Sequence, residues 1–300
     1  MTPTPASHPA HDTSRLPDAV DRLATAVVGI ALRRSAASGV VWRPGVVVTA
    51  ASALWRAPRV HLVLPSGEQV AGEVRGVDAS TDLAAIAFEG DVQPAERAAA
   101  ATPRVGDFVF AVGREPSGRV QASFGHVGAA GGEWRTWRGG RVERLIRLDG
   151  GLYPGLAGAP VADATGQVLG VASPALSRLH GVVLPVATVD RVLGQLLAHG
   201  HVPRGYLGIA AQPVRVALEG GSTEGLLVSS VADDGPAAAA GLIVGDVIVS
   251  AGGRPVASIE ALRDLLAEQV GAQLRLQVAR GGLPLELTLD VAERPRHGCH

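Results

Sequence analysis

DGGLYPGLAGAP (149–160) is a glycine- and proline-rich segment that separates two strand-like runs, residues 141–148 and 167–172. Short apolar runs alternate with turn residues along the whole chain, which contains 39 glycines and 20 prolines. Valine-rich runs bounded by glycine and proline favour short strands over long helices, and the glycines follow no collagen period. The sequence therefore predicts a mainly β protein in which residues 149–160 form a loop.

Composition restricts both the core and the partners. The chain has 300 residues, enough for two or three domains, and it is 47% hydrophobic but only 3% aromatic. Val, Leu, Ile and Ala must therefore build the core. The formal net charge of −1 gives no reason to expect a nucleic acid or an anionic membrane as a partner.

The sequence predicts no metal site and no cofactor. Cys299 is the only cysteine, so no intrachain disulfide can form. The terminal His8, His11, His297 and His300 supply too few ligands in a fixed geometry, and no phosphate-binding glycine loop opens a helix. The N-terminus lacks a charged segment followed by an apolar one. This predicts a soluble cytoplasmic protein, or a periplasmic one if a signal has been removed.

The chain divides into segments of different character. Residues 1–18 have few apolar groups and are predicted to be disordered. Residues 19–190 contain two sets of short strands of similar length, which indicates two β-barrels side by side. Residues 191–202 complete a helical pattern and are expected to form a linker. Residues 203–292 form a further predicted domain, followed by a flexible tail at 293–300.

Short motifs in both regions carry a family resemblance. The first region contains SGVV (38–41), VTAA (48–51), TDLA (81–84), the loop 149–160 and GQVLGVA (166–172). The second contains GYLGI (205–209), GLLVSSV (225–231), GPAAAAGL (235–242) and VGDVI (244–248). In this order the motifs resemble the HtrA/Deg family, whose fold is a chymotrypsin/trypsin-like double β-barrel followed by a PDZ domain.

The resemblance implies three catalytic positions. Ser52 occupies the position of the general-base histidine, Asp82 that of the acid, and Ala157 that of the nucleophilic serine. Acyl transfer in that family requires all three groups. We therefore expect an HtrA-like pseudoprotease that is not an enzyme and binds polypeptide segments or C-termini as a scaffold, adaptor or regulator. The alternatives are an active HtrA-type serine endopeptidase, if Ala157 replaces a native serine, and a chaperone or holdase.

The cleft that the resemblance implies has two further features. Burial of Asp82 without a histidine costs desolvation free energy, so we expect the Ser52 hydroxyl to donate to it, directly or through water; the alternative is an exposed Asp82. The backbone N–H groups of Gly155, Leu156 and Ala157 are expected to form a nest like an oxyanion hole. The alternative is a loop that persists only because the fold needs it.

The resemblance also implies a peptide-binding groove in the second region, where GYLGI matches a carboxylate-binding loop and the strand after it. The residues expected to bind peptide are Tyr206, Leu207, Gly208, Ile209, Ile259, Leu262 and Leu266. Some of them must face the core, because a helix has one inward face. The alternative is a PDZ domain that packs internally or only spaces the domains.

Trp134 and Trp137 alternate with arginines between two pairs of glycines. Tryptophan and arginine are common in protein interfaces, so one interpretation is a hairpin that binds a partner, and the other is packing against the barrel. We expect a protein or peptide partner and a possible homo-oligomer. The absence of aromatic residues before Trp42 argues against the trimer that the family commonly forms.

Overall fold

The computed structural model describes residues 15–32, 36–54, 57–98, 102–177, 179–218 and 221–294. The chain separates into two compact units, residues 1–202 and 203–300. Two closed antiparallel barrels lie in the first unit and one larger open sheet lies in the second. The predicted mainly β architecture with a double barrel is confirmed.

The first barrel closes when its first strand pairs with its fourth. Its strands are β1 (Val27–Ala31), β2 (Ala36–Arg43), β3 (Val46–Ala50), β4 (Arg59–Val63), β5 (Gln69–Asp78) and β6 (Leu83–Phe88). They follow the order β1-β2-β3-β6-β5-β4. Buried and exposed residues alternate along most of β5, as expected for a strand with one face in the core.

The second barrel repeats this organisation and carries an additional two-stranded hairpin. The strands are β7 (Phe108–Arg114), β8 (Val120–Gly131), β9 (Trp134–Arg135), β10 (Arg141–Val142), β11 (Leu145–Leu148), β12 (Pro160–Asp163), β13 (Val168–Ser173) and β14 (Val182–Pro185). The closed order is β11-β14-β13-β12-β7-β8, and β9 pairs with β10 outside the barrel.

Two helices of the first unit correct the expected domain limits. Helix α1 (Leu16–Ala24) begins inside the segment that was predicted to be disordered. Helix α2 (Val186–His199) buries Val189 and Leu193 in the same hydrophobic cluster as barrel residues. Residues 191–202 therefore belong to the first compact unit and are not a linker. The apolar face of α2 is the physical reason, because it gains more by packing on the barrels than by staying in water.

A buried arginine joins α1 to the barrels. Arg114 is 6% exposed, and its guanidinium donates to the carbonyl oxygens of Val27, Gly118 and Ala24, each at 2.8 Å. Desolvation lowers the pKa of Arg114 from its usual value. The contact with Ala24 satisfies a free carbonyl in the last turn of α1, where a positive charge is favourable.

The segment that follows the first barrel, residues 89–98, is bonded to both barrels. The Ala95 N–H donates to the Val41 carbonyl in β2, and the Ala98 N–H donates to the Val168 carbonyl in β13, both at 3.0 Å. We call residues 95–98 the connector strap.

Side chains reinforce the connector strap. The Arg97 guanidinium lies 5.1 Å from the centre of the Trp42 ring and 3.0 Å from the Asp190 carboxylate in α2. The Trp42 indole N–H donates to the same carboxylate at 2.7 Å. Arg97 and Asp190 therefore form an ion pair with each other, and both also contact the buried Trp42, Arg97 through a cation–π contact.

The second unit has an antiparallel sheet with order β16-β17-β18-β20-β21, a short strand beside β18, and a separate pair, β15 with β22. Its elements are β15 (Gly205–Tyr206), β16 (Ile209–Leu218), β17 (Gly221–Val231), α3 (Pro236–Ala239), β18 (Val247–Ala251), β19 (Arg254–Pro255), α4 (Ile259–Glu268), β20 (Gln273–Arg280), β21 (Leu283–Asp290) and β22 (Ala292–Glu293). The last strand extends into the predicted flexible tail, of which residues 295–300 lie outside the described residues.

A buried ion pair ties the α3–β18 loop to β20 in this unit. The Asp246 side chain is 1% exposed, and its two oxygens accept hydrogen bonds from Arg280, both at 2.8 Å. The Ile243 N–H donates to the same carboxylate at 2.9 Å. Burial acts to raise the pKa of Asp246, but the hydrogen bonds from Arg280 and Ile243 and the Arg280 charge lower it below its usual value.

Replacement of Asp246 by Asn should make the stability of the second unit depend less on pH under acidic conditions. A carboxyl whose folded pKa is depressed stabilises the fold above its unfolded pKa of about 3.9, and the stabilisation is lost as the pH falls through the folded pKa. We expect the transition temperature of the unaltered protein to fall more steeply below about pH 4 than that of Asp246→Asn, measured by scanning calorimetry. Asp290→Asn, an exposed change in the same unit, should keep the original slope. Equal slopes for Asp246→Asn and the unaltered protein would contradict the assignment.

Candidate functional site

The segment before β6 places Asp82 in an unusual backbone conformation. The Asp78 carboxylate accepts hydrogen bonds from the backbone N–H and hydroxyl groups of both Ser80 and Thr81, which closes a tight turn. Asp82 follows with φ of 59°, the only positive φ of a non-glycine residue in the described part of the chain. Such a residue persists only where its surroundings over-determine it.

Asp82 is buried and joins the two barrels. Its Oδ2 accepts the Ser173 hydroxyl of β13 at 2.5 Å, and its Oδ1 accepts the Ser52 backbone N–H at 2.7 Å. The residue is 3% exposed. No direct hydrogen bond joins the Ser52 hydroxyl to Asp82 in the described residues, because the second barrel supplies a hydroxyl and the first supplies a backbone donor. The alternative of an exposed Asp82 is wrong.

Ser52 lies in a short 3-10 helix, Ala51–Ala53, directly after β3, and its side chain is exposed. The Ala51 N–H donates to the Asp82 carbonyl at 3.0 Å, so two consecutive backbone N–H groups hold this helix against Asp82. Position 52 is therefore adjacent to the acid position, as the resemblance implied.

Ala157 is attached to the first barrel through Ser38 of β2. The Ser38 N–H donates to the Ala157 carbonyl at 3.0 Å, and the Ser38 hydroxyl donates to the Gly155 carbonyl at 2.8 Å. Ala157 also packs against the same hydrophobic cluster as Ala51 and Ala53, which flank Ser52. The three sequence-predicted positions thus converge where the barrels meet.

Gly158 allows this close approach. Its φ is +80°, and a Cβ at this position would lie 2.2 Å from the Thr49 hydroxyl and 2.5 Å from the Ser38 carbonyl oxygen. A larger residue would require the loop to leave the first barrel. Glycine is thus required one residue after position 157.

The three proposed oxyanion-loop residues differ in role. Leu156 is fully buried in the second barrel, and its N–H donates to the Tyr153 carbonyl at 3.2 Å. This N–H is occupied, so the expectation for Leu156 is wrong. In the part of the chain that the structure describes, the N–H groups of Gly155 and Ala157 donate to no acceptor, which leaves two donors for a ligand oxygen.

Sequence reasoning missed Ser173 and Ser38, which position this site. Ser173 is separated from Asp82 by 91 residues and Ser38 from Gly155 by 117. Ser38 is the first residue of the motif SGVV, and Ser173 directly follows the motif GQVLGVA. The sequence did offer one signal for these roles: each serine lies at the edge of a motif that was already assigned to the region of the triad positions.

Chemically, the arrangement offers a carboxylate, two free N–H groups and an exposed hydroxyl. The Ala157 methyl group has no nucleophilic atom, and the Ser52 hydroxyl is not a base near neutral pH. Hydrolysis at this site must therefore take its nucleophile from water or from another group.

The second candidate site is the loop between β15 and β16. Gly208 has φ of +79°, and the Leu207 and Gly208 carbonyls accept the N–H groups of Ala237 and Ala232 at 2.9 and 2.7 Å. The N–H groups of Leu207 and Gly208 have no acceptor among residues 203–218 and 221–294. Among the described strands β16 pairs only with β17, so its other edge is unpaired beside this loop.

The side chains expected around this loop fall into two sets. The side chains of Leu207, Leu262 and Leu266 are at most 6% exposed and belong to the core of the second unit, so these side chains do not line a groove, and Leu207 offers a ligand only its backbone N–H. The inward face of α4 is the reason. Tyr206, Ile209 and Ile259 are partly exposed, so only these keep surface for a ligand.

The two hairpin tryptophans are also placed differently. Trp134 packs against the core of the first unit, and its indole N–H donates to the Arg144 carbonyl at 3.4 Å. Trp137 is 70% exposed. Of the two tryptophans, only Trp134 therefore packs against the barrel, and Trp137 remains exposed.

No group of metal-binding side chains occurs in the described residues, and the terminal His and Cys residues lie outside them. A search of the same residues finds no helix with the length and apolar character that crossing a bilayer requires.

Two family models match the chain. Residues 37–171 match the trypsin-like peptidase domain, and residues 227–280 match the PDZ domain. The two matches follow each other in the order that the motifs predicted.

Curated relatives carry the name probable periplasmic serine endoprotease DegP-like. The protein of Pseudomonas savastanoi pv. phaseolicola is 31% identical over 277 residues, which cover 88% of this chain and 57% of that protein. The protein of Chlamydia trachomatis serovar D is 29% identical over 267 residues, with coverages of 85% and 53%. The chain thus spans about half the length of these relatives.

Solved structures agree with this likeness over nearly the whole chain. The serine endoprotease from Yersinia pestis has a TM-score of 0.76 at 25% identity and covers 98% of this chain and 100% of that one. The HtrA-type protease AlgW with tripeptide has a TM-score of 0.74 at 26% identity, with coverages of 96% and 98%.

These comparisons correct two expectations. The prediction that the chain is not an enzyme is contradicted, because the relatives are named serine endoproteases and the similar structures are proteases. That prediction was based on the side chains at positions 52 and 157 alone. The expected cytoplasmic location has no support either, because the relatives are named periplasmic.

The matched domains, their order and the double-barrel topology all agree. The chain belongs to the HtrA/Deg family of trypsin-like serine proteases with a PDZ domain.

Proposed function

We propose that this protein acts on polypeptides and that its PDZ domain holds their C-terminal carboxylate. The observation that carries the proposal is the pair of N–H groups at Leu207 and Gly208, which have no acceptor in the described part of the second unit. A carboxylate accepts such N–H groups strongly. The unpaired edge of β16 can add the following peptide backbone as a further strand.

The side chain of the last peptide residue would meet an apolar surface. Ile209 and Ile259 are both partly exposed and pack against the same core cluster. We therefore propose that apolar C-terminal residues are preferred over charged ones. The AlgW structure, solved with a tripeptide, supports a peptide ligand for this type of protein.

Gly208→Ala should weaken binding of C-terminal peptides. A Cβ at residue 208 would lie 3.1 Å from the Gly235 Cα, and the positive φ would be strained, so the two N–H groups would move. We expect a loss of about tenfold or more in affinity for a labelled peptide with an apolar free C-terminus, measured by fluorescence anisotropy.

The matched control is Gly282→Ala, which introduces the same backbone strain (φ +86°) where nothing lies within 4 Å. It should leave the affinity unchanged. The same peptide with an amidated C-terminus should bind the unaltered protein about tenfold more weakly. Equal binding of the acid and the amide would refute carboxylate capture.

Endoproteolysis is the second candidate function. The names of the relatives favour it, and so do the Asp82 contacts and the two free N–H groups at Gly155 and Ala157. In a serine protease that has lost its nucleophile, the remaining site still gives about 10³–10⁴-fold catalysis over water. We propose slow cleavage of extended polypeptide by the chain as it stands.

The double variant Ser52→His, Ala157→Ser should cleave an unfolded protein substrate much faster. We expect a gain of about 10²-fold or more over the unaltered chain, because both missing groups return beside an acid that is already in position. Gel-based assays of casein cleavage would measure it. Adding Asp82→Asn to the double variant should remove most of the gain. A double variant no faster than the unaltered chain would show that the three positions do not form a working triad.

We also propose a periplasmic location, in line with the names of the relatives. Fractionation of the native host should recover the protein with periplasmic markers. Recovery with cytoplasmic markers alone would exclude this location.

A further inference from the structure

A tight turn displays Trp137 and Arg138 at the end of the β9–β10 hairpin. The Gly139 N–H donates to the Thr136 carbonyl at 2.8 Å, and the Thr136 N–H donates to the Gly140 carbonyl at 2.9 Å. Gly139 has φ of +79°, which fits a type I turn followed by a bulge. Trp137 and Arg138 are its two central residues, and we call this pair the Trp–Arg tip.

The turn is anchored to the segment that precedes Asp82. The hydroxyl of the buried Thr136 donates to the Ser80 carbonyl at 2.6 Å and accepts the Gly140 N–H at 3.0 Å. A Cβ on Gly140 would lie 2.5 Å from the Ser80 oxygen. These contacts leave the turn little freedom, so a ligand of the tip would not have to order it.

The tip combines an exposed aromatic ring with an uncompensated positive charge. Trp137 is 70% exposed, and the Arg138 guanidinium lies 4.4 Å from the centre of its ring. The Arg138 guanidinium also donates to the Ala79 carbonyl at 3.3 Å. No carboxylate in the described part of the chain forms an ion pair with Arg138, whereas Glu133 pairs with Arg141 and Glu143 with Arg191.

We infer that the Trp–Arg tip is a docking surface for an acidic polypeptide segment with an apolar or aromatic side chain next to a carboxylate. The carboxylate would pair with Arg138, and the apolar side chain would cover the free face of Trp137. Residues 131–144 contain four arginines and two glutamates, so the hairpin attracts negative charge. A nucleic acid strand would need a row of cations along its phosphates, whereas the tip offers a single cation, Arg138.

The tip belongs to the first unit and the proposed carboxylate-binding loop to the second, so a variant in one leaves the residues of the other unchanged and the two can be tested apart. The probe is a fluorescein-labelled decapeptide of alternating glutamate, phenylalanine and leucine, amidated at its C-terminus so that it lacks a terminal carboxylate. Binding is followed by anisotropy with the full chain at low salt. The comparison probes are the same peptide with glutamine for glutamate and a single-stranded oligothymidine.

The unaltered protein should bind the acidic peptide, and Trp137→Ala and Arg138→Gln should each weaken binding about tenfold or more. Arg138→Lys should recover part of the loss, because it keeps the charge but not the planar group. Arg104→Gln removes an arginine that is 84% exposed outside the hairpin and should stay within about twofold.

Both tip variants alter exposed turn residues, and unchanged thermal unfolding would show that they fold. The inference is overturned if the unaltered protein does not bind the acidic peptide, if the glutamine peptide binds equally well, or if the tip variants bind like the unaltered protein. Binding of oligothymidine alone would also overturn it, and would assign the tip to nucleic acid.

Discussion

The structure of the cleft depends on the Asp82 carboxylate. One oxygen accepts a hydroxyl from the second barrel and the other accepts a backbone N–H from the first. Burying a carboxylate costs free energy unless its oxygens accept hydrogen bonds. Moving the barrels apart here would remove these bonds, so the two donors stabilise the observed arrangement of the barrels. Because neither donor is an imidazole, the geometry survives with serine at position 52.

The loop that carries Ala157 is maintained in the same manner, by groups outside it. Ser38 binds the carbonyls of residues 155 and 157, and Gly158 leaves no space for a side chain against the first barrel. The backbone at position 157 is therefore determined by the first barrel and not by the residue's own side chain. This is why the loop can hold two free N–H groups whether or not a hydroxyl is present.

Local patterns predicted the two barrels, because strand motifs and turn glycines act over short separations. Positions 52, 82 and 157 were assigned from the family resemblance, and their action as a triad stays a prediction. The roles of Ser173 and Ser38 depend on contacts between distant segments, which no local pattern records. The same limit explains Leu262 and Leu266: apolar spacing indicates a helix face, but it does not distinguish a core from a groove. Residues 191–202 looked like a linker because the surface that buries their apolar side chains belongs to the barrels, which lie far away in the sequence.

The connector strap affects how far the two barrels can move relative to each other. Because it is bonded to β2 and β13, and Arg97 contacts Trp42 and Asp190, any separation of the two barrels would break these contacts. For the proposed action on polypeptides, barrels held in this way would accept an extended segment more readily than a folded domain.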